Sequence, residues 1–337
     1  MKRSLLLILL LVSYYNVLTQ VVNHSEFSEL KEKLHKKFAD KFDFSVLVDR
    51  NDSIVIYKNI GHRDKGNLNP IDEKTIFNIA SITKSITAAG IFKLIEENKL
   101  KLSHNLEYFF EDVPNSKKSI TIKTLLSHKS GLRQTYPLDG ISDSNKALDK
   151  IFDEDLEFDP DSGFRYSNQN YQLLALIIEK VTGNSYESYI KENVLIPLDM
   201  ENSFFWDEAS TYHNIAPIDE GVLDRNGRRN WGYIGSGGIF TTTNDLLEFW
   251  NGIYKKGFLT EKSIVTIFDN YFETSSGIQI GLGFFLSPDT KWNLLELWTR
   301  GTESWGHNSV IRHFPEKDVT IIVSTNSGEI DNDSSRT

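Results

Sequence analysis

The chain has 337 residues, of which 39% are hydrophobic, 12% aromatic and 25% charged, enough apolar material for one large core or two smaller ones. The 47 acidic residues against 37 basic ones leave a net charge of −10 with no basic stripe, which argues against nucleic acid as a partner and reads as solubility. The absence of cysteine excludes a thiol nucleophile, disulfides, thiolate metal sites and a lipidated N-terminal cysteine together.

In chain order, Lys2 and Arg3 precede an apolar run from Leu5 to Val12, and Val17 and Thr19 offer a cleavage site before Gln20. Residues 1–19 therefore read as a secretory signal peptide, since this run is too short for a bilayer that needs about 20 residues. Export to a periplasm or the medium is expected, with no stable membrane insertion after cleavage. Phe27, Leu30, Leu34 and Phe38 share one side of a helix. "FDFSVLVDR" and "SIVIYKNIGH", separated by Asn51-Asp52, read as a strand hairpin. "SITKSITAAGIFKLIEENKL" carries the strongest helix signal, with Ile82, Ile86, Ala89 and Ile95 along one face. Helical segments follow in "TIKTLLSHKSG", "NKALDKIFDEDL" and "NQNYQLLALIIEKVTG", and Thr242 with Asp245 fits a capping box after a Gly-rich turn. The remainder, "GLGFFLS", "WNLLELW", "SVIRHF" and "DVTIIVST", is β-rich before a polar tail over 327–337. Strands at both ends and helices between predict an α/β chain of the α+β type: one sheet built from both termini with a helical insert. Residues 25–326 are expected to form one unit, its sheet part at 25–78 and 230–326 and its helical part at 79–229.

Two short patterns carry chemistry. In Ser81-Ile-Thr-Lys84 the hydroxyl and the amine fall on one face at a helix start, where a desolvated lysine can activate the serine. The helix N-terminus offers N–H groups and a positive dipole end to a developing oxyanion. The spacing alone is cheap, since Ser28–Lys31 and Ser188–Lys191 share it on what read as solvated faces. Tyr166-Ser167-Asn168 sets a phenol able to relay a proton beside an amide able to hydrogen-bond substrate. Tyr14–Asn16 and Tyr57–Asn59 repeat that pattern, and a half-buried, satisfied tyrosine is the commoner fate. No serine sits in Gly-x-Ser-x-Gly, no phosphate-binding loop occurs, and the acidic strings lack calcium-loop positions. No cofactor or metal is expected.

"FNIASITKSITAAGIFKLIEENKLKL", "ITIKTLLSHKSGL", "DSGFRYSNQNYQLLALIIEKVTGNSYESYI", "PLDMENSFF" and "GSGGIFTTTNDLLEF" occur in one order that resembles the serine β-lactamase-related family of class C β-lactamases, D-alanyl-D-alanine carboxypeptidases and related esterases. The resemblance covers roughly residues 40 to 326. It implies Ser81 as acylated nucleophile, Lys84 as its proton acceptor, Tyr166 as acid/base partner and Asn168 as substrate contact. It implies an antiparallel sheet flanked by helices, a mostly helical second domain and a site between them, and it gives His128 a structural role.

One family element departs from the pattern. The strand beside the nucleophile should carry Lys-Thr-Gly or His-x-Gly, and the candidate here is His307-Asn308-Ser309, with serine at the glycine position. The segment up to Phe314-Pro315 is short, so "WGHNSV" also reads as a two-residue hairpin turn centred on His307 and Asn308. His307 is expected to face the cleft as a substrate contact, and Ser309 is not expected to replace the glycine. The leading expectation is an exported, monomeric acyl-serine hydrolase acting on a small-molecule or peptide substrate. The alternative is a catalytically impaired binding or sensor protein on the same scaffold.

Overall fold

Asn51 and Asp52 both take positive φ, 51° and 59°, and turn β1 (Phe44–Arg50) back into β2 (Ser53–Ile60). That is the turn these residue types favour between two strands. The computed structural model describes residues 43–63, 66, 68–216, 227–274, 277–289, 293–303 and 306–326, with Ser28, Glu29, Glu32, Lys33 and Lys36 besides. The expected signal segment 1–19, the positions Phe27, Leu30, Leu34 and Phe38, and the tail 327–337 lie outside these residues. The chain divides into two compact units, Met1–Lys41 and Phe42–Thr337. In the first, the five described residues are helical, and Lys33 pairs with Glu29 at 2.6 Å on an exposed face.

In the second unit, β3 (Phe77–Asn78), β4 (Phe204–Phe205) and β5 (Ile239–Thr241) form a small sheet in the order β3-β5-β4. The strands β6 (Phe272–Glu273), β7 (Gln279–Ile280), β8 (Phe285–Asp289), β9 (Leu294–Thr302), β10 (Asn308–Phe314) and β11 (Val319–Thr325) join the first hairpin. Among the described residues this is an eight-stranded sheet in the order β2-β1-β11-β10-β9-β8-β7-β6. Phe44 pairs with Thr325 and Arg50 with Val319, so the first strand lies against the last, as the sheet drawn from both chain ends requires.

The helix α1 (Ile82–Glu96) is buried on nearly every side and not along one face alone. Its apolar positions are joined by the small residues Ser85, Ala88, Ala89 and Gly90, which let neighbours approach the remaining faces. Ser85 Oγ bonds the Gly283 carbonyl at 2.8 Å, and Tyr189 OH donates to the Gly90 carbonyl at 3.1 Å. The helices α2 (Ile122–Leu126) and α3 (Ser144–Asp153) pack on α4 (Asn168–Thr182), which with α5 (Tyr186–Ile190) packs against α1, and α6 (Thr243–Tyr254) and α7 (Glu261–Asp269) come later in the chain. The Thr242 hydroxyl accepts the Asp245 N–H at 3.1 Å, the cap expected for α6. Thr243 then ties α6 to the first hairpin through Ser45 Oγ at 3.0 Å and Tyr57 OH at 2.9 Å. Among the described residues, no helix is long and apolar enough to cross a membrane.

Candidate active site

The chain reaches Ser81 through a strained turn. Ala80 sits at φ 45°, where a side chain is disfavoured, and Asn78 holds it there. The Asn78 amide oxygen accepts the Ala80 N–H at 2.7 Å, and its amide nitrogen donates to the Gly237 carbonyl at 3.2 Å. Ser81 occupies the N-cap position of α1, yet its hydroxyl makes no capping bond. It accepts instead from Lys84 Nζ, 3.0 Å away. Lys84 is 4% exposed and also donates to the Ser236 carbonyl at 2.7 Å. Among the described residues no carboxylate forms an ion pair with it.

Tyr166 completes this group, its ring centroid 5.0 Å from Lys84 Nζ. His128 braces it from behind, with ring centroids 4.3 Å apart. The His128 carbonyl accepts the Arg165 N–H at 3.0 Å and its Nδ1 accepts the Ser167 N–H at 3.2 Å. Because Nδ1 is an acceptor, the neutral ring carries its proton on Nε2. Burial, with Lys84 nearby, pushes the imidazole pKa well below its ordinary range, which suits a brace and not a titrating base. Asn168 opens α4, its N–H given to Gln134 Oε1 at 2.8 Å.

Ser81, Tyr166 and Asn168 line one cleft of about 850 Å3. Its apolar lining is Phe164, Ile280, Phe285 and Trp298, the last two stacked at 4.5 Å. Its polar lining includes Gln134, Asp139 and Glu303, and the exposed Arg300 lies 5.9 Å from the Trp298 ring. Burial raises the Glu303 carboxyl to about 7, against the opposing pull of Lys84.

The expectation for His307 is corrected. Its ring is wholly buried, outside the cleft wall, with Nδ1 accepting the Asn78 N–H at 2.9 Å and Phe77 beside it. The turn is not centred on His307 and Asn308 either. Glu303 N–H donates to the His307 carbonyl at 2.8 Å, Gly306 takes φ 116°, and Asn308 already pairs with Thr302 in the ladder. Ser309 faces Ser324, with their hydroxyl oxygens 3.0 Å apart.

The strand beside the nucleophile is β9, which the sequence reading missed. A Cβ on Gly301 would stand 1.9 Å from the Ile79 carbonyl oxygen and 2.7 Å from Ser81 N, so only glycine allows this approach. Arg300, Thr302 and Glu303 then present to the cleft. The available signal was a lone glycine inside the run "WNLLELWTRGT", the mark of a close backbone approach.

With this geometry in view, comparison with known proteins places the chain. A family model described as Beta-lactamase matches residues 37–336. The chain is 24% identical over 316 residues to penicillin-binding protein 4* of Bacillus subtilis, covering 86% of this chain and 69% of that protein. It is 34% identical over 170 residues to Protein flp of Staphylococcus aureus, covering 48% of this chain but only 34% of that one. The structure of the octameric penicillin-binding protein homologue from Pyrococcus abyssi superposes with a TM-score of 0.77 at 24% identity, over 91% of this chain and 74% of that one. The chain belongs to the beta-lactamase family, a family of serine acyl-hydrolases.

Proposed function

We propose that this chain is an exported serine hydrolase working through an acyl-enzyme on an amide, β-lactam or ester. The observation that carries this reading is the buried Lys84 nitrogen held 3.0 Å from the hydroxyl of Ser81, which lines the cleft. Lys84 takes the Ser81 proton as the oxygen attacks the substrate carbonyl, and the first turn of α1 stabilises the oxyanion with its dipole and N–H groups. The carbonyl then re-forms and the bond to the leaving group breaks, its proton returned by way of Tyr166 and Lys84. Water next attacks the ester carbonyl and loses a proton to the same pair; the bond from Ser81 Oγ to the acyl carbon breaks, the proton returns to Ser81 and the acid leaves. Asn168, on the cleft wall, is the substrate contact. The export part of the reading rests on the basic and apolar residues 2–12. The alternative, an impaired binding protein, drew on the serine at position 309, and Gly301 beside Ser81 removes that support.

A fluorophosphonate and a fluorescent penicillin should label the protein, and Ser81→Ala should abolish labelling. A chromogenic cephalosporin, a D-Ala-D-Ala peptide and a short-chain ester, tested side by side, then assign the acyl class. Labelling that persists in Ser81→Ala would contradict the nucleophile.

A further inference from the structure

The acidic string from Asp153 to Asp161 has one half-buried member, Glu154, directly after α3, and its other acids are exposed. The acyl-transfer steps do not use Glu154, and it is not one of the described residues lining the cleft. Its main chain is fixed by Lys117, 2% exposed, whose Nζ donates to the Phe152 carbonyl at 3.0 Å and the Glu154 carbonyl at 2.5 Å. Both carboxylate oxygens are engaged. Thr135 Oγ1 donates to them at 2.9 and 2.7 Å, and the fully buried Gln169 donates from Nε2 to Oε2 at 2.6 Å. Gln169 Nε2 also reaches Thr135 Oγ1 at 2.8 Å and the Arg133 carbonyl at 3.3 Å. One carboxylate therefore clamps the segment 133–136 to the first turn of α4.

The other end of this clamp is the cleft. The Arg133 carbonyl accepts Ser167 Oγ at 2.7 Å, and Gln134 Oε1 accepts the Asn168 N–H at 2.8 Å. With Oε1 so engaged, the Gln134 amide turns Nε2 to Tyr136 OH at 3.2 Å. Gln134, Tyr136 and Asn168 all line the cleft. We infer that Glu154 is a positioning residue that holds Asn168 and Gln134 in place for the substrate, acting through Thr135 and Gln169. This rests on the acyl-serine reading and adds to it a residue outside the cleft lining. Hydrogen bonds to a charged acceptor are about twice as strong as neutral ones, and removing that acceptor orphans the donors aimed at it. A displacement of about 1 Å in a substrate contact can cost about 10²-fold in rate, so the loss of this carboxylate is felt at the cleft.

Two probes separate the placement of Asn168 from the chemistry of Ser81. A fluorescent penicillin presents an amide beside its acylating carbonyl, and a fluorophosphonate has none beside its phosphorus. The quantity read is the ratio of their labelling rates, penicillin over fluorophosphonate. Glu154→Ala should lower it at least tenfold. Glu154→Gln, which keeps the volume if the alanine variant does not fold, should lower it roughly threefold, because its neutral amide remains a weaker acceptor. Asn168→Ala should lower the ratio too, and adding Glu154→Ala to it should lower the ratio no further, as two residues acting on one contact require. A ratio unchanged in the Glu154 variants, additive effects of Glu154 and Asn168, equal slowing of both probes, or a parent protein that takes the fluorophosphonate but no penicillin would each overturn the inference. A parent inert to both probes would remove the acyl-serine reading, and the inference with it.

Discussion

Lys84 is surrounded by a hydroxyl, a backbone carbonyl and an aromatic face, with no described carboxylate as counter-ion. This geometry sets its nitrogen where a proton can pass between it and the Ser81 oxygen. Lys84→Met keeps the volume and removes the base, and should lower kcat on a chromogenic ester by about 10²–10⁴, the usual weight of positioned proton transfer. His128 tests the opposite role. Its ring accepts the Ser167 N–H and is held by Asn170, so His128→Ala should cost about 2–3 kcal/mol in urea unfolding, a cost of cavity and orphaned donors. These residues were legible because each lies in a local pattern, Ser81 to Lys84 on one turn and Tyr166 to Asn168 across a helix start. Their identical-looking copies at Ser188–Lys191 and Tyr57–Asn59 separate from them only through the order of surrounding segments.

At the scale of elements, the nucleophile turn and β9 form one device. The φ of Ala80, the two hydrogen bonds of Asn78 and the missing Cβ of Gly301 set Ser81 N against the strand. Gly301→Ala should therefore lower the thermal midpoint, at a cost of about 1–3 kcal/mol, and slow labelling of Ser81 at least tenfold. Ser309→Ala, across the ladder from Gly301, should leave the labelling rate within about twofold, losing only a hydroxyl contact to Ser324. Equal effects from the two would contradict the placement of β9 beside the nucleophile. The hairpin at Asn51-Asp52 and the cap at Thr242 were readable because turn and cap chemistry is local. The strand beside the nucleophile was not, because its partner lies over 200 positions away and register is set by non-local pairing. The histidine in "WGHNSV" drew attention to position 307, while the lone glycine six residues earlier was the informative residue.

Across the whole molecule, β1 against β11 makes the sheet depend on both ends of the second unit. Ending the chain before Val319 should abolish cooperative unfolding, followed by circular dichroism, because β1 and β10 would each lose one of their two neighbours and the sheet would be cut in two. Stability should also respond to pH through two groups of opposite sense, the half-buried Glu303 and the buried His313. Glu303 rises from 4.5 to about 7, so the folded state keeps a proton that the unfolded chain releases. Its contribution is full below 4.5 and is lost as pH rises through 7. His313, lowered from 6.5 to about 4 by burial, contributes fully above 6.5 and loses that contribution as pH falls through 4. Glu303→Gln should accordingly raise the thermal midpoint more at pH 8 than at pH 4.5, and an equal gain at both would show that Glu303 is not withdrawn from water.

The acylation of Ser81 can be read directly by mass spectrometry of the intact protein after fluorophosphonate treatment, followed by peptide mapping. One adduct per chain is predicted, on the peptide containing Ser81, absent from Ser81→Ala and formed far more slowly in Lys84→Met. An adduct on another residue, or one formed as fast without the Lys84 amine, would contradict the account.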